Sequence, residues 1–274
     1  VPPVLSGDMI ACFAVTEPGA GSDAASMSTT ATRDGNDWIL NGAKTFITAA
    51  DVGDVVLVFA SVDRSLGAKG ITAFLVDRGT PGFTTGKVEE MLGLNASSAG
   101  ELFFRDCRVP GSALVGEVGK GLRIAFSSLD LGRIHVAGQG IGLAEAALEA
   151  TLTYTADREQ FGRPIGDFQG VQWMLADMAL AVDAGILIDY RAARVADAGK
   201  NYTADSAKAK LYAAEIAADV ARKAVELHGG YGYLSEFHVE RYWREARLQR
   251  LAPVSQEMTC NFIAQQVLGL PRSY

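Results

Sequence analysis

The sequence is short of the residues that build covalent frameworks and metal centres. Its 274 residues include only three cysteines and three histidines. Cys12, Cys107 and Cys260 lie far apart, an odd count with no CxxC spacing, so neither a disulfide framework nor a zinc site is implied and a reducing cytoplasm fits best. His135, His228 and His238 share no metal-ligand spacing, so no metal is implied, and His228 reads as a turn-packing residue. Basic charge is also scarce: 25 Lys and Arg against 32 Asp and Glu give a net charge of −7. That balance removes the electropositive footprint nucleic acid or an anionic membrane surface would need, so any anionic ligand must be held by local groups. No run approaches the roughly 18 to 20 consecutive apolar residues of a membrane span, and the N-terminus has no basic stretch leading into an apolar core.

What is present is a large apolar fraction, 49% of the chain, enough to bury a substantial core in one large or two smaller domains. The pattern changes near residue 118. Before it, short β-rich runs at 9–16, 37–42, 43–48, 54–62, 70–78 and 101–109 alternate with turn signals such as Asp34-Gly35 and Asn41-Gly42. After it, Leu122, Ala125, Phe126, Leu129, Ile134, Ala137, Ile141, Ala144 and Leu148 recur mostly at three- and four-residue steps. Similar patterns run over about 168–198, 205–228 and 255–268, with Gly229-Gly230 as a stop. The expectation is an α+β chain, with an antiparallel β-barrel or sandwich over 1–118 and an up-down helical bundle over 119–274. The opening "VPPVLSGD" reads as a linker.

The stretch "FAVTEPGAGSDAAS", residues 13–26, combines a β-prone run with a turn rich in glycine and hydroxyl groups. Such a turn lets a ligand approach the backbone, and Thr16, Ser22 and free N–H groups can donate to carbonyl or phosphate oxygens. It is neither GxGxxG nor a P-loop, and an ordinary surface loop would look the same. Its surroundings carry more. "CFAVTEPGAGSDAASMSTTATRDGNDWILNGAKTFIT" resembles the flavin-binding segment of the acyl-CoA dehydrogenase family. "DREQFGRPIGDFQGVQWMLADMA" (157–179) and "LHGGYGYLSEFHVERYWREARL" (227–248) resemble that family's second and third signatures, in family order.

The resemblance implies FAD as cofactor. It places Phe13, Val15, Thr16, Gly21 and Ser22 along the flavin and its ribityl chain, with Ser22 also beside the acyl chain. Phe46, Ile47 and Thr48 match the cover of one flavin face. Arg158, Phe161 and Gln169 match residues that reach a neighbouring subunit's FAD, Arg158 offering a guanidinium fork suited to phosphate. Gly229 and Gly230 match a turn over the adenine half, and Gln256 falls where relatives carry a Glu or Gln that touches FAD. Glu226 stands where many relatives have Gln near the pyrophosphate and is left out of the site. Asp130 and Arg133, three apart on one helix face, would be a surface ion pair by spacing alone, and the resemblance puts them near bound acyl-CoA.

The implied reaction is α,β-desaturation of an acyl thioester, in which a base takes the α-proton, a hydride passes to flavin N5 and an electron-transfer flavoprotein accepts the electrons. The base is the departure. Relatives carry a Glu where this chain has Ala252, or, in a few, where it has Gly132. Glu257 is a weak stand-in that suits the first turn of the last helix, with Ser255 as its cap. Three readings stay open: a dehydrogenase with a displaced base, an FAD-binding subunit that depends on a competent paralogue, or an oxidase or monooxygenase on the same scaffold. The cross-subunit residues imply a dimer or a dimer of dimers, hence a homotetramer. Relatives also have an N-terminal helical domain, roughly a hundred residues by ordinary domain size, and this sequence enters just after it.

Overall fold

A computed structural model describes residues 2–272. The chain divides into two compact units, one ending at Ser127 and one beginning at Ser128.

After a single helical turn, α1 (Pro2–Leu5), the first unit builds eight strands: β1 (Ala11–Ala14), β2 (Thr30–Asp34), β3 (Asp37–Thr48), β4 (Val55–Ser61), β5 (Ile71–Asp77), β6 (Phe83–Val88), β7 (Ala99–Val109) and β8 (Leu114–Val115). Their order is β6-β7-β3-β2-β4-β5-β8, with β1 also on β4. Most pairs are antiparallel, as the turn signals implied, but β1 joins β4 in parallel, Ala11 to Ala14 against Val55 to Val58. The start of β2 meets the same strand in parallel, Thr30 against Ser61. Between those two contacts residues 15–29 leave the sheet and return to it. The glycine-rich turn is this excursion.

Both faces of β4 are covered. Val56 and Val58 pack with Trp38, Leu40, Phe74, Leu102 and Phe104, while Phe59 packs on the other side with Met27, Ile71, Ala73, Leu122 and Ala125. Hence β4 reads as an unbroken apolar run. Asp34-Gly35 begins a two-residue hairpin loop closed by the Asp34–Asp37 pair. Asn41-Gly42, expected as a turn between two strands, lies inside the single strand β3. The chain continues because Gly42 sits at a break in the β3–β7 register, with φ +151°, where a bulge bends a strand without ending it.

The second unit is the expected bundle. Its helices are α2 (Gly121–Asp157), α3 (Gln169–Asp197), α4 (Thr203–His228), α5 (Val239–Gln249) and α6 (Gln256–Phe262), the last continued by a π turn over Ile263–Val267. A small hairpin, β9 (Glu159–Gln160) and β10 (Arg163–Pro164), links α2 to α3. The unit boundary falls inside α2, later than residue 118, because Leu122 and Ala125 belong to the β-unit core. Ile134, Ala137, Ile141, Ala144 and Leu148 of α2 pack with Met178 and Val182 of α3 and with Ala209, Ala213, Ile216 and Val220 of α4. An adjoining stripe of α4 presents Ala217 and Ala221 to Ala246 of α5.

Sequence periodicity missed α5, which has Val239, Tyr242, Trp243 and Ala246 amid charged residues. It is held by that short apolar stripe and by an i,i+4 ion pair, Arg244 Nε to Glu240 Oε2 at 2.7 Å. By length and composition α3 could cross a membrane. Met178, Val182, Gly185 and Ala192 nevertheless form a buried face in the bundle, and Trp173, Leu180 and Leu187 are exposed at seven-residue intervals.

A Cβ on Gly42 would stand 2.5 to 2.7 Å from Oγ1, Cα and Cβ of Thr29. Gly42→Ala is expected to destabilise the protein by about 1–3 kcal/mol, read as a lower urea midpoint at unchanged m-value.

Candidate functional site

In the first unit the site rests on a buried ion pair. Lys44 Nζ donates to Glu17 Oε1 at 2.8 Å and to the Val15 carbonyl at 3.1 Å. The Glu17 carboxylate also accepts from Ser28 N and Oγ, both at 2.6 Å, and from Thr29 N at 3.0 Å. One lysine and one glutamate thus tie the departing end of the excursion, Val15–Glu17, to its return at Ser28–Thr29. Glu17 and Ala20 exchange backbone hydrogen bonds at 3.0 and 3.1 Å, closing the turn. Burial opposes ionisation of Glu17, but Lys44 and the hydrogen bonds from Lys44, Ser28 and Thr29 outweigh it and hold the carboxyl down at about 2. Burial lowers Lys44, with Glu17 acting against that shift.

The candidate flavin residues sit around this anchor. Phe13 lies on β1 with its ring edge-on to Phe59, centroids 5.2 Å apart. Val15 packs half-buried beside it. The Thr16 carbonyl accepts from Thr45 N at 3.0 Å. Gly21 and Ser22 are exposed at the turn. In β3 the inward residues change from even (Trp38, Leu40) to odd (Thr45, Ile47) through two register breaks. The second break turns Phe46 outward, 68% exposed with φ +57°. Thr48 is exposed too, whereas Ile47 is in the β-unit core, so only its backbone is available to a ligand.

In the second unit Arg158, Gly229 and Gly230 line one cleft of about 420 Å³ with Tyr154, Tyr231 and Leu234. The Arg158 guanidinium lies 5.5 Å from the centre of the Tyr231 ring, and no carboxylate among the described residues pairs with it. Glu226 lines the cleft as well, but its carboxylate is engaged by Arg222 at 2.6 Å and does not meet Arg158. The glycine turn is propped from beneath. His228 stacks on Tyr154 with centroids 4.2 Å apart, and Tyr154 donates its hydroxyl to the His228 carbonyl at 3.2 Å. His228 Nδ1 is 2.8 Å from the Ala224 carbonyl, which can only accept, so that nitrogen carries the proton. Burial lowers the imidazole's pKa against that hydrogen bond, favouring the neutral ring. Phe161 projects from the β9–β10 turn, 94% exposed with φ +54°. Gln169 is exposed at the start of α3.

Asp130 and Arg133 are not a surface pair. Their contact, 2.6 Å, has side chains only 18% and 11% exposed, and Thr203 Oγ1 donates to the second Asp130 oxygen at 2.8 Å. Burial lowers the pKa of Arg133, with Asp130 opposing the shift. Gln256, at the first turn of α6, accepts from Arg250 Nε at 2.5 Å. Glu257 is exposed in the same turn, and Ser255 Oγ accepts from Met258 N at 3.3 Å as the cap. Ala252 is exposed on the α5–α6 link, and a Cβ on Gly132 would meet nothing within 4 Å.

Comparison with known proteins agrees with this geometry. Residues 12–107 match the family model for the acyl-CoA dehydrogenase middle domain, and residues 119–268 match that for the acyl-CoA dehydrogenase C-terminal domain. This chain belongs to the acyl-CoA dehydrogenase family. It is 45% identical over 273 residues to the mitochondrial short-chain specific acyl-CoA dehydrogenase of Rattus norvegicus, covering 100% of this chain and 66% of that protein. It is 45% identical over 246 residues to the caffeyl-CoA reductase-Etf complex subunit CarC of Acetobacterium woodii, covering 90% of this chain and 65% of that one. Butyryl-CoA dehydrogenase from Megasphaera elsdenii superposes with a TM-score of 0.95 at 41% identity, covering 97% of this chain and 70% of that structure. The chain thus spans about two thirds of the length of such relatives.

The residues present fit the family's cofactor. Gly19, Gly21 and Gly230 have no left-handed φ and no neighbour that a Cβ would strike. The chain's own packing does not demand glycine there, while a ligand lying against bare backbone would. Two exposed aromatics in left-handed conformations, Phe46 and Phe161, are an unfavourable choice for water alone. The sequence reading overlooked Glu17 and Lys44, although both lie in the quoted motifs, because nothing in a sequence pairs residues so far apart.

Replacing Glu17 with Gln strands the buried Lys44 charge and is expected to destabilise the protein by about 3–5 kcal/mol. Because folding lowers the Glu17 pKa, its stabilisation is complete above the ordinary glutamate range and is lost as pH falls from about 4.3 toward 2. Urea unfolding from pH 6 to 2 should show that loss in the parent, and Glu17→Gln should lack this component.

Proposed function

We propose that this chain is the FAD- and acyl-CoA-binding portion of a flavin-dependent acyl-CoA dehydrogenase that desaturates an acyl thioester, with an electron-transfer flavoprotein as acceptor. The observation that carries the reading is the Arg158 guanidinium, free of any carboxylate among the described residues, beside the open Gly229-Gly230 turn. Bound FAD supplies the two-electron acceptor for the hydride leaving the substrate. The protein's part is to hold and shield that cofactor. Val15, Thr16, Gly21 and Ser22 offer backbone and hydroxyl hydrogen bonds along the excursion, while Phe13, Phe46 and Thr48 border the ring. Arg158 neutralises pyrophosphate charge, which a fixed guanidinium fork does well. Arg133, oriented by Asp130, is the cation for acyl-CoA.

Assembly follows from the second unit. If Arg158, Phe161 and Gln169 serve a neighbouring copy's cofactor, a monomer holds FAD poorly, and the exposed stripe Trp173, Leu180, Leu187 on α3 is apolar surface for that contact. A dimer of dimers is the proposed working form, in a cytoplasmic setting. The acceptor proposal draws on the Etf complex named for the Acetobacterium woodii relative.

Neither Ala252 nor Gly132 can take a proton, which favours a second reading. In it the chain binds FAD but obtains its base from another polypeptide. Anaerobic titration with butyryl-CoA separates the two: flavin bleaching by the purified protein supports a complete active site, and bleaching only after a paralogue is added supports the dependent subunit. Oxygen consumption without any acceptor protein would instead mark an oxidase.

The purified protein is expected to carry FAD near one per chain; a colourless protein that takes up no FAD on reconstitution overturns the proposal. Arg158→Ala should weaken FAD retention by about 1.5–3 kcal/mol, measured by fluorescence titration of the apoprotein. Unchanged affinity would make Arg158 a surface residue only. Ala252→Glu should raise desaturation by on the order of 10² to 10⁴ if position 252 faces the α-carbon, read as kcat with an artificial acceptor.

A further inference from the structure

Apart from the cleft, the second unit buries a lysine that the proposed chemistry leaves unused. Lys210, on α4, is 1% exposed. Its ammonium donates to the Val254 carbonyl at 2.6 Å. An ammonium has three donors, and burying it against one carbonyl is costly unless its position matters. Val254 lies in the link between α5 and α6, the segment that also carries Ala252. The link has other fastenings: Arg250 Nε donates across it to Gln256 Oε1 at 2.5 Å, and they differ from the Lys210 contact in not reaching its central backbone carbonyl. Arg250 reaches Glu215 at 3.2 Å, but those side chains are 38% and 43% exposed, so solvent discounts the pair. Ala252 N donates to the Leu248 carbonyl and Gln256 N to the Arg250 carbonyl, both at 3.0 Å.

We infer that Lys210 is a positioning residue, whose charged ammonium clamps the Val254 carbonyl and fixes the backbone of the α5–α6 link, and whose loss of a proton loosens that link. The relevance of this link to catalysis rests on the proposed function, in which position 252 faces the substrate; the clamp itself does not.

The clamp is set to respond near neutrality. Burial, reinforced by Arg133 from α2, lowers Lys210 to about 8, and Glu257 from α6 acts in the opposite direction. Arg133 is itself paired with Asp130, whose second oxygen accepts from Thr203. Since folding lowers the Lys210 pKa, the unfolded chain holds more protons between about 8 and the ordinary lysine value of about 10.4, and Lys210 makes global stability rise with pH across that window. The link itself loosens as pH rises through about 8, where the folded chain's Lys210 gives up its proton. A local loss against a global gain separates this device from general alkaline unfolding.

The test is amide hydrogen exchange of the purified chain, expressed as protection factors so that intrinsic rates cancel. At Ala252 and Gln256 the parent should lose roughly tenfold protection between pH 7 and 9.5, the scale of one charge-assisted hydrogen bond, while Ala144 in the core of α2 loses none. Lys210→Met should show the low value at both pH values, and Lys210→Arg, which stays charged, should show no step. Protection in the parent that is independent of pH overturns the clamp whether or not the variants fold, as does a Lys210→Met protein with parental protection at pH 7. Exchange needs neither cofactor nor substrate, so an empty flavin site would sink the proposed function and leave this result standing.

Discussion

The candidate flavin face depends on one buried charge pair. The chain leaves the sheet after β1, makes the glycine-rich excursion and rejoins β4 at Thr30; Ala20 and Met27 pin its middle to the core beside Phe59, but its polar ends need polar partners. Lys44 and Glu17 do it by meeting backbone groups at both ends: the Val15 carbonyl on departure, the Ser28 and Thr29 amides on return. A buried ion pair is seldom a net gain over apolar packing, yet it is severe to break, because either partner alone is a charge without compensation. That asymmetry suits a binding turn. The alternative to the ordered turn is a stranded ammonium, so the turn is rigid without large side chains, and its surface stays bare for a ligand.

The helical unit buries polar groups too, with less complete satisfaction. Arg133 Nε, Asp189 Oδ1 and Gln249 Oε1 have no hydrogen-bond partner among the described residues, and burial raises the Asp189 carboxyl against the pull of His135. Lys210 and Arg133 add two cations to one region of an alanine-rich packing. Small residues along α4 let helices approach closely, leaving little room for these groups to relax. The unit therefore carries unspent hydrogen-bonding capacity in its interior, and its stability rests on the apolar contacts of α2, α3 and α4.

Much of the fold was legible because it follows periods. The helices α2, α3 and α4 repeat apolar residues over many turns, and the Asp34-Gly35 turn has the composition its geometry needs. What escaped was set by tertiary contact. Asn41-Gly42 looked like a turn, but it lies within β3 at a break in the β3–β7 register, where Thr29 presses close enough to require glycine. Parallel pairing of β1 is invisible in a run of four residues. At the site, the motifs located Arg158 with Gly229 and Gly230, which do share a cleft, and Phe46, which does project. They also nominated Ile47, whose side chain the bulge turns into the core. A motif places a residue in the chain, whereas the bulge decides which way it points.

Positions 252 and 132 also have a structural side. In this chain the scaffold and the acid–base group are physically separable, since the interactions that set the excursion, the cleft and the bundle lie elsewhere than at positions 252 and 132. Ala252 is exposed and Gly132 has open space above its Cα, so neither small residue leaves a cavity in the packing or a polar group unpaired. A small residue at either place costs the fold nothing. Under the proposed function, flavin retention and proton abstraction are then separable properties. A bright, stably loaded flavoprotein would by itself say nothing about desaturation, and only a measurement on the substrate's α-proton, such as exchange with solvent deuterium, reports on the base.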